Sequence, residues 1–171
     1  MKKALLHVDF YIEDNCIRKV QLSKHNKPLI NNGLPLSFAV HFLNSQPCHA
    51  LASKIEEWME RYTLHRGRGV PDLPLFMKGL SPFTTKALNA LKKTPFGSII
   101  SYKELAALSA SPNGARAAGT ACGKNPFPLI VPCHRVIASD GSIGGFSQGE
   151  SLSQGLEIKR ALLEFEGMDL A

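Results

Sequence analysis

The chain has 171 residues, 44% of them apolar, with 20 Lys and Arg against 14 Asp and Glu and a net charge of +6. That length allows one large domain or two small ones, with a core that needs no covalent staples. No apolar run approaches the roughly 20 residues of a membrane span, Asp9 interrupts the first apolar run too early for a signal peptide, and Cys16, Cys48, Cys122 and Cys133 show no paired spacing. A membrane protein and a disulfide-stapled secreted domain are therefore not expected; the expected location is the cytoplasm, or the nucleus in a eukaryote. His7, Cys16, His25, Cys48 and His49 lack zinc-finger spacing, and no metal is expected.

Residues 1–44 hold two β-compatible pieces, 4–11 and 16–22, with Ile17, Val20 and Leu22 in the second. Asn31-Asn32 and Gly33-Leu34-Pro35 mark turns, and a small sheet is expected. A helix is predicted over 46–64, where Cys48, Leu51, Ala52, Ile55, Met59 and Tyr62 recur at helical spacing and Trp58 lies near the end. Residues 65–80 carry Gly, Pro and Arg with little periodicity and read as a linker. The chain is accordingly divided into 1–75 and 81–171. Nothing in the first 80 residues points to chemistry, and they read as scaffold.

At Ser81 the character changes. Ser81-Pro82 is an N-cap serine with proline at the first helical position, and Phe83, Ala87, Leu88 and Leu91 form one face of a helix ending near Lys93. Ser101-Tyr102-Lys103-Glu104 has the capping-box pattern and should open a short helix to Leu108. After the turn Ser111-Pro112-Asn113-Gly114, residues 115–123 form a second short helix, so the pair reads as a helix-turn-helix. That second helix is nearly all Ala and Gly, with Arg116 its one long basic side chain. It suits close approach to a minor groove, or tight packing, better than side-chain reading of a major groove. From residue 78 to residue 135 eight basic residues face one acid, Glu104. This stretch is a candidate phosphate-facing surface.

Residues 125–135, Asn-Pro-Phe-Pro-Leu-Ile-Val-Pro-Cys-His-Arg, place a cysteine beside a histidine after an apolar run with three prolines. Each proline restricts the residue before it, so Asn125, Phe127 and Val131 are expected to be extended and Cys133 to be held on a stiff backbone. A thiol with a base beside it is a nucleophile pattern. Pro-Cys-His also occurs at 47–49, but there Cys48 falls on the predicted helix face and reads as a small core residue. Beyond Cys133, Arg135-Val136-Ile137 reads as a strand, Ser139-Asp140-Gly141-Ser142 as a hairpin turn, and 156–165 as the last helix, closed by Glu166-Gly167.

Together these motifs resemble the DNA alkyltransferases that repair guanine alkylated on oxygen 6. The matches run in order through Pro95-Phe96-Gly97, Ser101-Tyr102-Lys103-Glu104-Leu105-Ala106, Ala115-Arg116-Ala117-Ala118-Gly119, Asn125-Pro126, Val131-Pro132-Cys133-His134-Arg135-Val136-Ile137, Gly144-Gly145-Phe146-Ser147, and Leu156-Glu157-Ile158-Lys159-Arg160 with Glu166-Gly167. The resemblance implies an α/β (α+β) fold: a small N-terminal RNase H-like domain, then a winged-helix domain carrying the active site. It implies one irreversible turnover without a cofactor. Cys133 takes the alkyl group, His134 deprotonates it through a water, and Glu166 orients His134. The implied partner is duplex DNA with an alkylated guanine, or thymine alkylated on oxygen 4, bound by a monomer. Arg116 fills the stack left by the flipped base, and Tyr102 presses on a phosphate and donates to the guanine ring nitrogen. Asn125 ties the helix-turn-helix to the active-site turn. The carbonyls of Cys133 and Val136 meet the exocyclic amine, and Phe146 and Ser147 line the alkyl pocket. Ala115, Gly119, Thr120 and Arg135 complete the DNA-facing set.

Three departures from the family pattern stand out: Thr120 after Gly119, Phe146 where some members carry tyrosine, and about six extra residues before the last helix, where Ser147-Gln148-Gly149 recurs as Ser153-Gln154-Gly155. Three rival readings have distinct signatures. A lesion-binding relative without transfer lacks the cysteine, which this chain has. A cysteine hydrolase built on Cys133, His134 and Glu166 needs no basic helix-turn-helix. A DNA-binding regulator needs more base-reading side chains than 115–123 supplies.

Overall fold

The computed structural model describes residues 5–25, 36–44, 47–65, 69–148 and 151–168. Strands β1 (Leu5–Glu13) and β2 (Cys16–His25) form an antiparallel hairpin, and β3 (Leu36–Phe42) joins the other side of β1 in parallel, giving the order β2-β1-β3. Asp14 and Asn15 make the hairpin turn, both at positive φ (51° and 56°). Two such residues match the right-handed strand twist, and Asp and Asn tolerate that conformation. Alternation along β1 buries Leu6, Val8, Phe10 and Ile12. The turns expected at 31–35 lie outside the described residues.

Helix α1 (His49–Thr63) covers this face with Leu51, Ala52, Ile55, Trp58, Met59 and Tyr62 buried. Cys48 packs against the core as expected, but partly buried and not from within the helix. It occupies the N-cap position, half-buried, and its thiol donates to Oδ1 of Asn15 (2.7 Å). The helix starts one residue later, so the spacing that placed Cys48 on the face does not yet apply. Residues 69–80 are irregular, but part of this stretch is tied to the outer edge of β2. Ile17 N–H donates to Pro74 O (2.8 Å), and Phe76 N–H donates to Ile17 O (3.0 Å). Further along the same edge, Val20 N–H donates to Pro126 O (2.8 Å) and Leu22 N–H to the Gln148 side chain (3.4 Å).

Helix α2 (Pro82–Leu91) is capped by Ser81, whose Oγ accepts from Thr84 N–H. Strand β4 (Ile100–Ser101) leads into α3 (Tyr102–Leu108) through a complete capping box of Ser101 and Glu104. Helix α4 (Ala115–Gly123) follows after a short turn and packs on α2 and α3 as the second helix of the helix-turn-helix. A 3-10 turn (Cys133–Arg135) precedes β5 (Val136–Ile137), which pairs with β4 in parallel. The 139–142 segment forms the expected tight turn, with Ala138 N–H donating to Ser142 O (2.9 Å), but Val136–Ile137 pairs with β4 and not across that turn. No helix among the described residues is long and apolar enough to cross a membrane.

Helix α5 (Leu152–Phe165) begins four residues earlier than predicted. Ser151 caps it by accepting from Gln154 N–H (3.2 Å). The second Ser-Gln-Gly copy is therefore helical, and the duplication lengthens α5 by about a turn. Gly155 lies against the preceding loop. A Cβ there would overlap the carbonyl oxygen of Phe146 and lie 2.7 Å from that of Gln148. Backbone on both sides cannot yield as a side-chain tip could. Gly155→Ala is expected to lower stability by about 1–3 kcal/mol, the usual range for forced overpacking, while alanine at exposed Gly123, where no atom lies within 4 Å, should not. Urea denaturation of both variants checks this.

Candidate active site

The site is built on the turn that follows α4. The three prolines constrain residues 125, 127 and 131 but leave Leu129 and Ile130 free, and there the chain reverses. Leu129 takes a φ of 74°, and Val131 N–H donates to Phe127 O (2.8 Å). The stretch is thus a compact turn. Asn125, buried at the end of α4, holds it closed. Its Nδ2 donates to Val131 O (2.8 Å) and to the Cys133 sulfur (3.1 Å), and its Oδ1 accepts from Phe127 N–H (3.0 Å).

Cys133 is buried and opens onto a pocket of about 480 Å³ whose walls include Tyr102, Gly119, Cys122, Phe146, Ser147 and Leu152. Burial pushes the thiol pKa up, against the opposing effects of the Asn125 hydrogen bond and the Lys159 charge. A raised pKa leaves the resting sulfur protonated, so nucleophilic attack needs a base. The Tyr102 hydroxyl is pushed up to about 12, first by burial and then by Cys122 and Cys133. It is a hydrogen-bond donor at neutral pH.

Behind the cysteine lies a fully buried polar cluster. Glu166 Oε1 accepts from His134 Nε2 (2.9 Å), Arg135 Nη2 (2.7 Å) and the Tyr62 hydroxyl (2.6 Å), and Oε2 accepts from Arg135 Nε (2.8 Å) and Gly97 N–H (3.2 Å). Burial alone would raise the Glu166 pKa, but the hydrogen bonds and charges of His134 and Arg135 outweigh it and hold the carboxyl well below the usual range. An ionised carboxylate only accepts, so His134 Nε2 carries the proton and Nδ1 bears the lone pair. That Nδ1 is buried with no hydrogen-bond partner among the described residues. Burial pulls the His134 pKa down, with Glu166 opposing, and the imidazole is set neutral. Gly97 sits at φ 68°, and a Cβ there would lie 3.1 Å from Glu166 O.

Two placements differ from the sequence reading. Arg135 is not on a DNA-facing surface. It is 4% exposed, paired with Glu166, and donates Nη1 to Thr94 O (2.6 Å). The buried Glu166 carboxylate needs a counter-charge, and that requirement takes the guanidinium inward. Lys159, named from sequence only within the 156–160 motif and given no role, is fully buried. Its ammonium donates to Val136 O (2.7 Å) and to Ile143 O, and burial pulls its pKa down to about 8. The signal was available: residues 155, 158, 159, 162, 163 and 166 form one helical stripe, and Lys159 and Glu166 both lie on it.

The remaining predicted residues fall into two groups. Gly119 lies beside the Tyr102 ring, Phe146 is buried, and exposed Ser147 donates its hydroxyl to Gly123 O (3.1 Å); all three line the Cys133 pocket. Val136 is buried in β5, its carbonyl already engaged by Lys159. Ala115, Arg116 and Thr120 lie on α4 outside the pocket lining, with Arg116 and Thr120 exposed. Lys78, Lys86, Lys93, Lys103 and Lys124 are exposed as well, so the basic stretch keeps its charge on the surface without Arg135.

Residues 82–168, half of the chain, match the family described as 6-O-methylguanine DNA methyltransferase, DNA binding domain. A methylated-DNA–protein-cysteine methyltransferase of Rattus norvegicus is 42% identical over 118 residues, covering 65% of this chain and 53% of the relative. One from Saccharolobus islandicus is 46% identical over 90 residues, covering 52% of this chain and 53% of the relative. The chain thus spans about half the length of these curated relatives. Among solved structures, Mycobacterium tuberculosis OGT in complex with DNA matches with a TM-score of 0.67 at 24% identity, over 94% of this chain and 93% of that one, a likeness of fold. The O6-methylguanine-DNA methyltransferase of the archaeon Pyrococcus kodakaraensis matches with a TM-score of 0.55 at 26% identity, over 96% and 100%.

Glu166 also makes stability depend on pH. Its folded pKa is depressed, so its contribution is fully present above the ordinary value of 4.5 and is lost as pH falls through the lower folded value. Glu166→Gln leaves Arg135 buried without its counter-ion and is expected to cost about 3–5 kcal/mol at pH 7. The variant should also lose less further stability than the parent as pH falls below 4.5. Urea denaturation of both chains from pH 7 downward measures the two effects.

Proposed function

The chain belongs to the 6-O-methylguanine DNA methyltransferase family, and we propose that it repairs duplex DNA by moving an alkyl group from oxygen 6 of guanine to Cys133 in one irreversible turnover. The observation that carries this reading is the buried Cys133 thiol at the pocket. It is held by Asn125 and followed in sequence by a neutral His134 whose Nε2 is anchored to Glu166.

The Cys133 proton passes through a water to His134 Nδ1, and the sulfur attacks the alkyl carbon as the carbon–oxygen bond breaks. Tyr102, protonated at neutral pH, donates to the guanine ring nitrogen as the leaving group gains charge. The product thioether is a poor leaving group, so the protein is consumed as reagent. The target oxygen is inside the helix, and the base must leave the stack to reach the pocket. Helix α4 suits minor-groove approach because Ala117 and Thr120 are the short side chains exposed beside Arg116, which fills the vacated stack. Exposed lysines supply a sequence-independent phosphate attraction. Thymine alkylated on oxygen 4 is the second substrate of this reading, a monomer on DNA its assembly, and 1–75 and 81–171 its two domains.

Intact and peptide mass spectrometry after mixing with a duplex carrying one 6-O-methylguanine tests this. One methyl on Cys133, limited to one equivalent and absent in Cys133→Ser, is expected; tight lesion binding without methyl gain sinks the reading. Arg116→Ala should slow transfer from duplex on the order of ten- to hundredfold, the scale of a base-unstacking cost, and leave reaction with the free modified base unchanged. Single-turnover rates on the two substrates separate flipping from chemistry.

A further inference from the structure

The Oε1 atom of Glu166 that accepts from His134 also accepts from a residue outside the matched family segment. Tyr62, on α1, donates its hydroxyl to that oxygen at 2.6 Å. The phenol is fully buried, with its ring against Trp58 (5.9 Å between centroids), Phe96 (5.4 Å) and Phe165 (5.5 Å). Those rings offer the hydroxyl no carbonyl or carboxylate, so Glu166 is the acceptor the structure gives it. The carboxylate does not need Tyr62 for neutralisation, because Arg135 already contacts both oxygens. A phenylalanine would fill the same aromatic site. The hydroxyl's particular effect falls on Oε1 and on its other neutral partner, His134.

We infer that Tyr62 is a positioning residue for alkyl transfer, whose hydroxyl fixes the Glu166 oxygen facing His134 and draws charge from it, so limiting how tightly the imidazole holds a proton. The inference rests on the alkyl-transfer reading above. It also gives the first part of the chain, read from sequence as scaffold, an indirect hand in the reaction, through Glu166 and His134. Among the described residues, the polar and charged groups around the pair are Tyr62 from α1, with His65 just after that helix packed on the Phe96 and Phe165 rings; Gly97 N–H from the turn after α2, with Lys92 and Lys93 lining the pocket beside Tyr62 and Arg135; His134 and Arg135 from the 3-10 turn; and Lys159 from α5. Arg135 and Lys159 disfavour a charged imidazole, and Glu166 favours it. Tyr62 hydrogen-bonds the single group that favours it. Without that hydroxyl, two donors share Oε1 where three did, the His134 hydrogen bond strengthens, and the imidazole protonates at higher pH.

The test is the pH dependence of single-turnover methyl transfer from a 6-O-methylguanine duplex for the parent chain and Tyr62→Phe. The acid limb of the Phe variant should move up by roughly half to one pH unit, the shift that one lost hydrogen bond produces, with the two rates converging at higher pH. A fluorinated tyrosine at position 62 keeps the ring and strengthens the donor, so its acid limb should move down; it carries the test even where Phe impairs folding. Acid limbs that coincide with the parent's overturn the inference, whatever happens to the melting temperature, since a merely structural hydroxyl would change stability alone. A parent chain that takes no methyl overturns the alkyl-transfer reading and this inference together, whereas a reactive parent with unmoved variants overturns this inference only.

Discussion

A carboxylate removed from water must be given back the hydrogen bonds it lost, and in this protein the Glu166 carboxylate sets that constraint. It receives five donations, from Tyr62, Gly97, His134 and twice from Arg135. These donors come from α1, the turn after α2, the 3-10 turn and its end, while the acceptor stands at the C-terminal end of α5. An isolated buried carboxylate would neutralise itself by taking a proton. Saturation by donors prevents that and forces each donating segment to a fixed distance from the others. The position of Cys133, immediately before His134, follows from this.

The opposite end of the same helical stripe does related work with the opposite charge. Lys159, two turns before Glu166, ties the carbonyl of Val136 to that of Ile143. The segment from Cys133 to Ile143 is therefore gripped by α5 at two places, one cationic and one anionic. The Lys159 charge is felt at Cys133, where it favours thiolate, and at His134, where it disfavours imidazolium. The first effect eases loss of the thiol proton, and the second keeps the resting imidazole neutral with its Nδ1 lone pair free.

What could be read from sequence was what depends on neighbours in the chain. The Ser81 cap, the Ser101–Glu104 box and the apolar stripe of α1 are local patterns, and each forms. The pairing of Cys133 with His134 is also local. Arg135 was misread, and Lys159 was given no role, because a charged side chain is exposed by default, and only the partner brought by the fold reverses that. For Arg135 the partner is 31 residues away. Tyr62 was legible as a core aromatic, but its hydroxyl's acceptor lies 104 residues off and left no mark in its surroundings. The start of α5 was misplaced because a repeated Ser-Gln-Gly reads as loop on composition, although Ser151 is a good N-cap.

The outer edge of β2 carries a consequence of another kind. Its N–H groups at Ile17 and Val20 are taken up by the carbonyls of Pro74 and Pro126, and Leu22 reaches the Gln148 side chain. Two of these three acceptors belong to the second half of the chain. Unpaired strand edges are templates for association with other chains, and synthesis proceeds from the N-terminus. Until residues 126 and 148 are in place, a newly made sheet presents that edge to its neighbours. Placing the turn that carries Cys133 thus also covers a strand edge of the first half that would otherwise be open to association.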